Sequence, residues 1–281
     1  MDKVARCLRV ALLQLKVGKD KSKNLENAAN KIKFAAQEHK ARLVALPEFF
    51  NSPYGTQFFS EYAEPIPDGE TSKLLSAAAK EHGIYLIGGT IPERDGDKLY
   101  NTCTIWSPTG SLLATYRKMH LFDIDIKGGI RFKESEVLSA GDNFTTVEVD
   151  GAKIGIGICY DIRFEELARI YRNQGCEMLI YPAAFNMTTG PLHWELLQRG
   201  RANDNQLYVA TISPARDREA GYVAWAHSMV VDPWGKVIQS ANEEEDVVIA
   251  DIDFSLVEKV REQIPVFSQR RSDLYATDRR K

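Results

Sequence analysis

Residues 155–164 read GIGICYDIRF and place Cys159 where an apolar run stops and a helical pattern starts. The two glycines allow close backbone approach, and a strand-to-helix turn of this kind presents its side chain at the carboxyl end of a sheet. A helix N-terminus at that point is expected to favour the thiolate. The same segment also admits a buried structural cysteine. Residues 43–48, LVALPE, end a second apolar run in Glu48, at the kind of carboxyl edge where open α/β sheets put their sites. Residues 114–120, ATYRKMH, carry a third run into Lys118. Alone, Glu48 reads as a loop carboxylate and Lys118 as a solvated ammonium. Together, a thiol, a carboxylate and an ammonium at three sheet ends are the nucleophile, base and fixed cation of a covalent catalytic site.

A cysteine nucleophile commonly takes histidine as its base. Of the five histidines, His39 and His82 lie at helix ends, where a cationic ring suits the local dipole, and are set aside. His120, His193 and His227 stay open. Cys7, Cys103 and Cys176 read as small buried hydrophobes in or beside strands. No C-x-x-C pair occurs, so neither a zinc site nor a disulfide framework is expected.

The elements that must position these residues alternate. Strands are expected over 8–15 and 42–46, with a helix between them marked by the apolar stripe Leu25, Ala28, Ala29, Ile32, Ala35 and Ala36. A second helix carries Leu74, Leu75, Ala78 and Ala79, ends at Gly83 and leads into a strand over 84–87. Two hairpins follow, 99–106 with 112–117 and 144–149 with 153–158, the second turning on Asp150-Gly151. Beyond Cys159 come a helix through Phe164, Leu167, Ala168 and Tyr171, a strand over 178–181, a helix from His193, a strand over 207–212, strands at 227–231 and 236–239, and a strand over 247–252. No Gly/Ser-rich linker divides them, so one α/β domain is expected. Strands apolar on both faces must be covered twice, which two sheets packed face to face and flanked by helices would satisfy.

At 281 residues, net charge −3, 44% apolar and 27% charged, the chain has the profile of a soluble globular protein. A nucleic-acid footprint would need clustered Lys and Arg and a basic total. The basic runs Arg270-Arg271 and Arg279-Arg280-Lys281 read as a solvated tail without a binding role. There is no apolar stretch of about 18 residues, so no membrane span or membrane partner is expected. The N-terminal patch alternates into a strand and lacks a small-residue cleavage site, so a cytoplasmic address is expected, which a mitochondrial fraction would not contradict.

The segments LVALPEFF (43–50), YRKMHLF (116–122) and GICYDIRF (157–164) resemble, in order and separation, those of the nitrilase superfamily of carbon–nitrogen hydrolases, which carry a Glu-Lys-Cys triad. The likeness runs over nearly the whole chain. It implies an α-β-β-α sandwich, two mixed β-sheets flanked by helices, as a single domain over 1–281, with a C-terminal tail (about 255–281) used in subunit association and a homodimer. Within the superfamily the chain looks most like the omega-amidases, on FNSPYG (50–55), LFDIDIKGGIRFKES (121–135), FNMTTGPLHWELLQRGRA (185–202) and IPVFSQRRSDLY (264–275). It departs from them at Glu165 and Lys127, where proline is the commoner residue.

The resemblance implies a small-molecule amide substrate, the distal amide of a 2-oxo dicarboxylic acid monoamide, hydrolysed through a Cys159 thioester without metal or other cofactor. Glu48 would be the base, Lys118 and the backbone N–H of Tyr160 the oxyanion donors, and Glu134 a second carboxylate holding Lys118 and the substrate amide. Arg163 and Tyr54 would bind the substrate, although Arg163 could equally pair with Glu166. Deaminated glutathione, N-carbamoyl amino acids and nitriles are the alternative substrates within the superfamily. A cysteine–histidine amidotransferase is a competing class, but its G-x-C-x-G elbow would need glycine where Asp161 stands. A catalytically silent scaffold would have no need of Glu48, Lys118 and Cys159 together.

Overall fold

The structure, a computed structural model, describes residues 6–127, 131–277 and 279. Residues 128–130 of the segment 121–135, and Arg280 and Lys281 of the terminal basic run, lie outside the described residues. The first sheet holds β1 (Cys7–Gln14), β2 (Leu43–Ala45), β3 (Tyr85–Ile87), β4 (Ile91–Asp95), β5 (Lys98–Trp106) and β6 (Leu112–Arg117), together with the last strand, β15 (Asp246–Asp253). A short ribbon pairs β7 (Asp123–Asp125) with β8 (Arg131–Lys133). The second sheet holds β9 (Thr145–Val149), β10 (Ala152–Ile156), β11 (Met178–Pro182), β12 (Tyr208–Ile212), β13 (Met229–Val231) and β14 (Val237–Ser240). Their orders are β15-β1-β2-β3-β5-β4, with β6 on β5, and β14-β13-β12-β11-β10-β9. Each sheet is built on three parallel strands, β1-β2-β3 and β10-β11-β12, extended by antiparallel ones, so both are mixed.

Alternation along β1 explains the layering. Leu8, Val10 and Leu12 point into a core shared with the second sheet, while Ala11 and Leu13 point the other way. That other face is covered by α1 (Lys21–Gln37), through Leu25, Ala28, Ile32 and Ala35, and by α3 (Glu70–His82), through Leu75, Ala78 and Ala79. The Asp20 carboxylate caps α1 by accepting from Lys23 N at 3.2 Å, and α3 ends on Gly83 at φ +63°, a left-handed cap. On the far side of the second sheet lie α4 (Glu165–Asn173) and α5 (Gly190–Asn205). They add Leu167, Ala168, Tyr171, Trp194 and Ala202 to the same core as the sheet. The layers are therefore α-β-β-α, as the apolar runs require.

The structure departs from the sequence reading in four places. β4 forms over Ile-Pro-Glu-Arg-Asp, where charge hides the strand, because it is the last strand of its sheet, with β5 on one side and a single bridge from Glu64 to Glu93 on the other. A helix of seven residues, α2 (Thr56–Tyr62), covers that edge. Cys7, at the first position of β1, is exposed rather than buried. Within the C-terminal segment, α6 (Ser255–Gln263) buries Val257 and Val260 against the body, and Arg270, from a basic run read as solvated, lies over the Phe267 ring, 4.6 Å from its centroid.

Candidate active site

Each of the three expected groups follows the carboxyl end of its strand. The Glu48 turn is latched to the loop after β3: Thr90 N donates to Pro47 O at 3.1 Å, and Phe49 N donates to Thr90 Oγ1 at 2.9 Å. A Cβ at Gly89, whose φ is +57°, would lie 2.3 Å from Pro47 O, so only glycine permits that approach. Lys118, directly after β6, donates its backbone N–H to Asn101 O at 2.8 Å. Cys159 follows β10 and Gly157, and itself takes φ +45° in a five-residue 3₁₀ turn, Cys159–Arg163. Phe164 is extended, so α4 starts only at Glu165.

The side chains converge in a water-excluded space. Glu48, Lys118 and Glu134 are each 0% exposed, and Cys159 is 3% exposed. Lys118 Nζ donates to Glu48 Oε1 and to Glu134 Oε1, both at 3.0 Å. Asn101 Nδ2 donates to Glu48 Oε1 at 2.8 Å. Oε2 of Glu48 has no hydrogen bond, which leaves it as the oxygen able to take a proton. Glu134 is fixed by the Tyr54 hydroxyl at 3.0 Å and by Phe122 N at 2.8 Å.

One buried ammonium between two buried carboxylates sets the protonation states. Burial pushes the Glu48 carboxyl above its ordinary value, and Glu134 adds to the rise against the pull of Lys118. For Lys118, burial opposes the charge, but Glu134, Glu48 and Cys159 outweigh it and the ammonium is held above its ordinary value. Cys159 is raised well above the usual thiol range, first by burial and then by the Glu48 charge, with Lys118 and the Ala184 backbone hydrogen bond working the other way. These directions run against the expectation of a thiolate stabilised by a helix end. A single 3₁₀ turn has little dipole, and a second anion beside Glu48 in a buried site is costly. The upward shift of Cys159 favours the thiol, and Glu48 is the adjoining group that can take its proton as the sulfur attacks.

Asp161, noted in the sequence only as a mismatch to another elbow, is a positioning residue that ties nucleophile to cation. It is fully buried, and its Oδ2 accepts from Ile158 N at 2.9 Å and from the Tyr116 hydroxyl at 2.8 Å. Its Oδ1 accepts from His120 N at 2.9 Å and lies 2.7 Å from His120 Nδ1. Tyr116 and His120 flank Lys118 by two residues on either side, so one carboxylate holds both loops in register. Sequence reasoning could have found it only as a carboxylate at the start of a turn; Asn101, inside a buried strand, gave no signal at all.

Each of the three open histidines is engaged by other groups. His120 is engaged by Asp161 and stacks on Phe164 with ring centroids 3.7 Å apart, and His227 lies beside Trp225. His193 Nδ1 is 3.2 Å from Arg163 Nη1. Arg163 does not pair with Glu166: its guanidinium lies 4.9 Å from the Phe185 ring centroid and makes no ion pair with any carboxylate among the described residues. It lines, with Cys159, Tyr160, Phe122 and Tyr222, an inner cavity of about 10 Å³, room for one water. An outer cavity of about 330 Å³ reaches Glu48, with Lys19, Gln57 and Glu219 among its lining residues. Tyr222 and Ala184 border both spaces. The Tyr222 hydroxyl donates to Ala184 O at 2.6 Å and its ring stacks on Tyr54 at 4.1 Å, so Tyr222 is held at the border of the two spaces.

The chain matches the carbon–nitrogen hydrolase family over residues 9–262 and belongs to it. Its sandwich is that of the nitrilase superfamily: Saccharomyces cerevisiae Nit3, a member of branch 10 of that superfamily, superposes with a TM-score of 0.88 at 44% identity, over 96% of this chain and 99% of that one. In sequence it is similar to the omega-amidase NIT2 of Xenopus tropicalis, 60% identical over 273 residues that cover 97% of this chain and 98% of the relative. With the human omega-amidase NIT2 the identity is 58% over the same coverage.

The raised thiol can be measured. Alkylation of Cys159 by iodoacetamide, followed by peptide mapping to separate it from exposed Cys7, should keep climbing with pH beyond the ordinary cysteine pKa of about 8.5. Lys118→Met should alkylate more slowly at neutral pH and recover as the pH is raised, and should lose roughly 3–5 kcal/mol of stability by leaving two buried carboxylates uncompensated. A wild-type plateau near neutral pH contradicts the raised thiol.

Proposed function

We propose that the protein is an omega-amidase that hydrolyses the distal amide of short 2-oxo dicarboxylic acid monoamides, such as 2-oxoglutaramate and 2-oxosuccinamate, to the 2-oxo acid and ammonia. The observation that carries this reading is Arg163, a half-buried guanidinium with no carboxylate partner that lines the same small cavity as the Cys159 thiol. An anionic group at one end of a short substrate would fit the guanidinium fork while an amide at the other end meets the sulfur.

The chemistry follows from the charges. Cys159 attacks the amide carbon as Glu48 takes the thiol proton, forming a C–S bond and a tetrahedral oxyanion. Lys118 spends two of its three N–H donors on Glu48 and Glu134, leaving one for the oxyanion beside the Tyr160 backbone N–H; a donor of this kind contributes roughly 3–4 kcal/mol. The C–N bond breaks as Glu48 returns the proton to the leaving nitrogen, and ammonia departs from a thioester. Water, deprotonated by Glu48, adds to that thioester, and the thiol leaves with its proton restored. Tyr54, whose hydroxyl is committed to Glu134, acts here by holding that carboxylate. No metal or organic cofactor enters the scheme.

We further propose a homodimer. On α5 and the β13–β14 turn, Leu192, Leu196 and Trp234 are 67%, 65% and 45% exposed and line one groove, an apolar patch that a second copy would cover. The C-terminal segment, with Leu274 and Tyr275 exposed, would extend the contact.

Two measurements test these readings. Arg163→Ala should raise KM for 2-oxoglutaramate by roughly 10²-fold, the loss expected for a charged hydrogen-bonded pair, while hydrolysis of a neutral short amide such as butyramide stays within a few-fold. An equal fall for both substrates would make Arg163 structural, and no ammonia release from 2-oxoglutaramate by wild type would end the reading. In sedimentation velocity the wild type should run as a dimer and Leu196→Glu as a monomer; a monomeric wild type refutes the association.

A further inference from the structure

Away from the active site, three guanidinium groups gather on one aromatic ring. Around Phe267, the Cζ atoms of Arg172, Arg270 and Arg169 lie 3.8, 4.6 and 5.2 Å from the ring centroid. Arg169 and Arg172 stand three residues apart on α4 and so share one helix face, while Arg270 comes from the segment beyond α6. Against these three cations stands one carboxylate, Glu165, which accepts from Arg169 Nε at 2.9 Å and from Arg169 Nη2. Among the described residues two positive charges are left over. Among the described residues no carboxylate forms an ion pair with Arg172 or Arg270.

The donors are left over as well as the charges. Arg169 has a side chain only 8% exposed, yet its Nη1 has no hydrogen bond. The Nε atoms of Arg172 and Arg270 are likewise buried and unsatisfied. A buried donor without an acceptor is costly, and native proteins leave few of them. The neighbourhood also depresses Arg172, to about 10, first by burial and then by the nearby charges of Arg261 and Arg169. Arg261 itself is offset by Glu177 and Glu258 and bonds the carbonyls of Gln206 and Cys176, so it is occupied elsewhere. A guanidinium that stacks by its face on a ring keeps its N–H edge free, and that edge matches a pair of oxygens.

We propose that Arg169, Arg172 and Arg270, gathered around Phe267, form a binding site for a small oxyanion of charge two or more, phosphate or a short polycarboxylate. The bound anion bridges α4 to the C-terminal segment and pins that segment to the helix that follows the nucleophile turn. The amidase reaction does not require this site, and the site does not depend on the substrate proposed above.

The test is thermal unfolding and calorimetric titration of the full-length protein with phosphate, and separately with citrate, at ionic strength held constant with NaCl. At saturating anion the melting temperature should rise by at least about 3 °C, the shift expected from tens to a hundred times Kd for a chain of this size. Arg172→Gln and Arg270→Gln should each abolish that rise, whereas Arg218→Gln, an exposed arginine paired with Glu243, should keep it. Without anion, Arg172→Gln should melt no lower than wild type, because it removes one of three crowded cations. A response to phosphate alone or to citrate alone supports the site and says which oxygen arrangement it takes. Carboxylate binding beside Arg163 would survive both substitutions and so be told apart. No wild-type response beyond that of NaCl, or an undiminished response in Arg172→Gln and Arg270→Gln, overturns the proposal.

Discussion

The buried ammonium of Lys118, shared between Glu48 and Glu134 at 3.0 Å each, is the constraint on which the rest of the site depends. Two carboxylates cannot stay ionised in a dry interior without it, and an ammonium cannot stay charged there without them. Burial first, and then the Glu48 charge, push the neighbouring thiol up and favour its protonated form. A carboxylate and a thiol side by side in such a site can exchange one proton at the moment of attack, and the same carboxylate can return it.

Keeping such a cluster dry and in register requires the two sheets to face each other. Glu48 and Lys118 come from the first sheet and Cys159 from the second, so no single sheet could assemble them. Asp161 carries that requirement in one side chain, bonding the strand end before Cys159 and the residues on both sides of Lys118. Asn101 does the same for Glu48 from the strand beside β6. These bonds supply the pre-organisation that lets fixed charges act on a transition state without reorganising.

Much of this was legible in the sequence, and the reasons are physical. The β-α-β periodicity, the Gly83 cap and the Asp150-Gly151 turn emerged because apolar spacing and glycine conformation are local properties; φ is +46° and +82° in that turn. Glu48, Lys118 and Cys159 stood out because each ends an apolar run, and the family resemblance joined them. Glu134 could be recognised only through that resemblance, since nothing in Phe-Lys-Glu-Ser marks a carboxylate for burial. The thiol's protonation state was misjudged because it depends on burial and on a charge from the other sheet, neither of which is local. Strand β4 escaped notice because an edge strand tolerates charge, and Arg270 because a basic pair near a terminus gives no sign of a ring waiting beneath it.

The central claim is that Glu48, and no histidine, receives the thiol proton while Lys118 stays charged. Quenched-flow acylation with 2-oxoglutaramate, read as the thioester mass on Cys159, tests it in wild type, Glu48→Gln and single Gln replacements of His120, His193 and His227. Glutamine can keep an oxygen towards Lys118 and Asn101 while removing the proton acceptor at Oε2. Thioester formation should fall by roughly 10²- to 10⁴-fold in Glu48→Gln, the range of general base catalysis, and should persist in all three histidine variants. Acylation of Glu48→Gln at the wild-type rate, or its loss in any one histidine variant, would contradict the account.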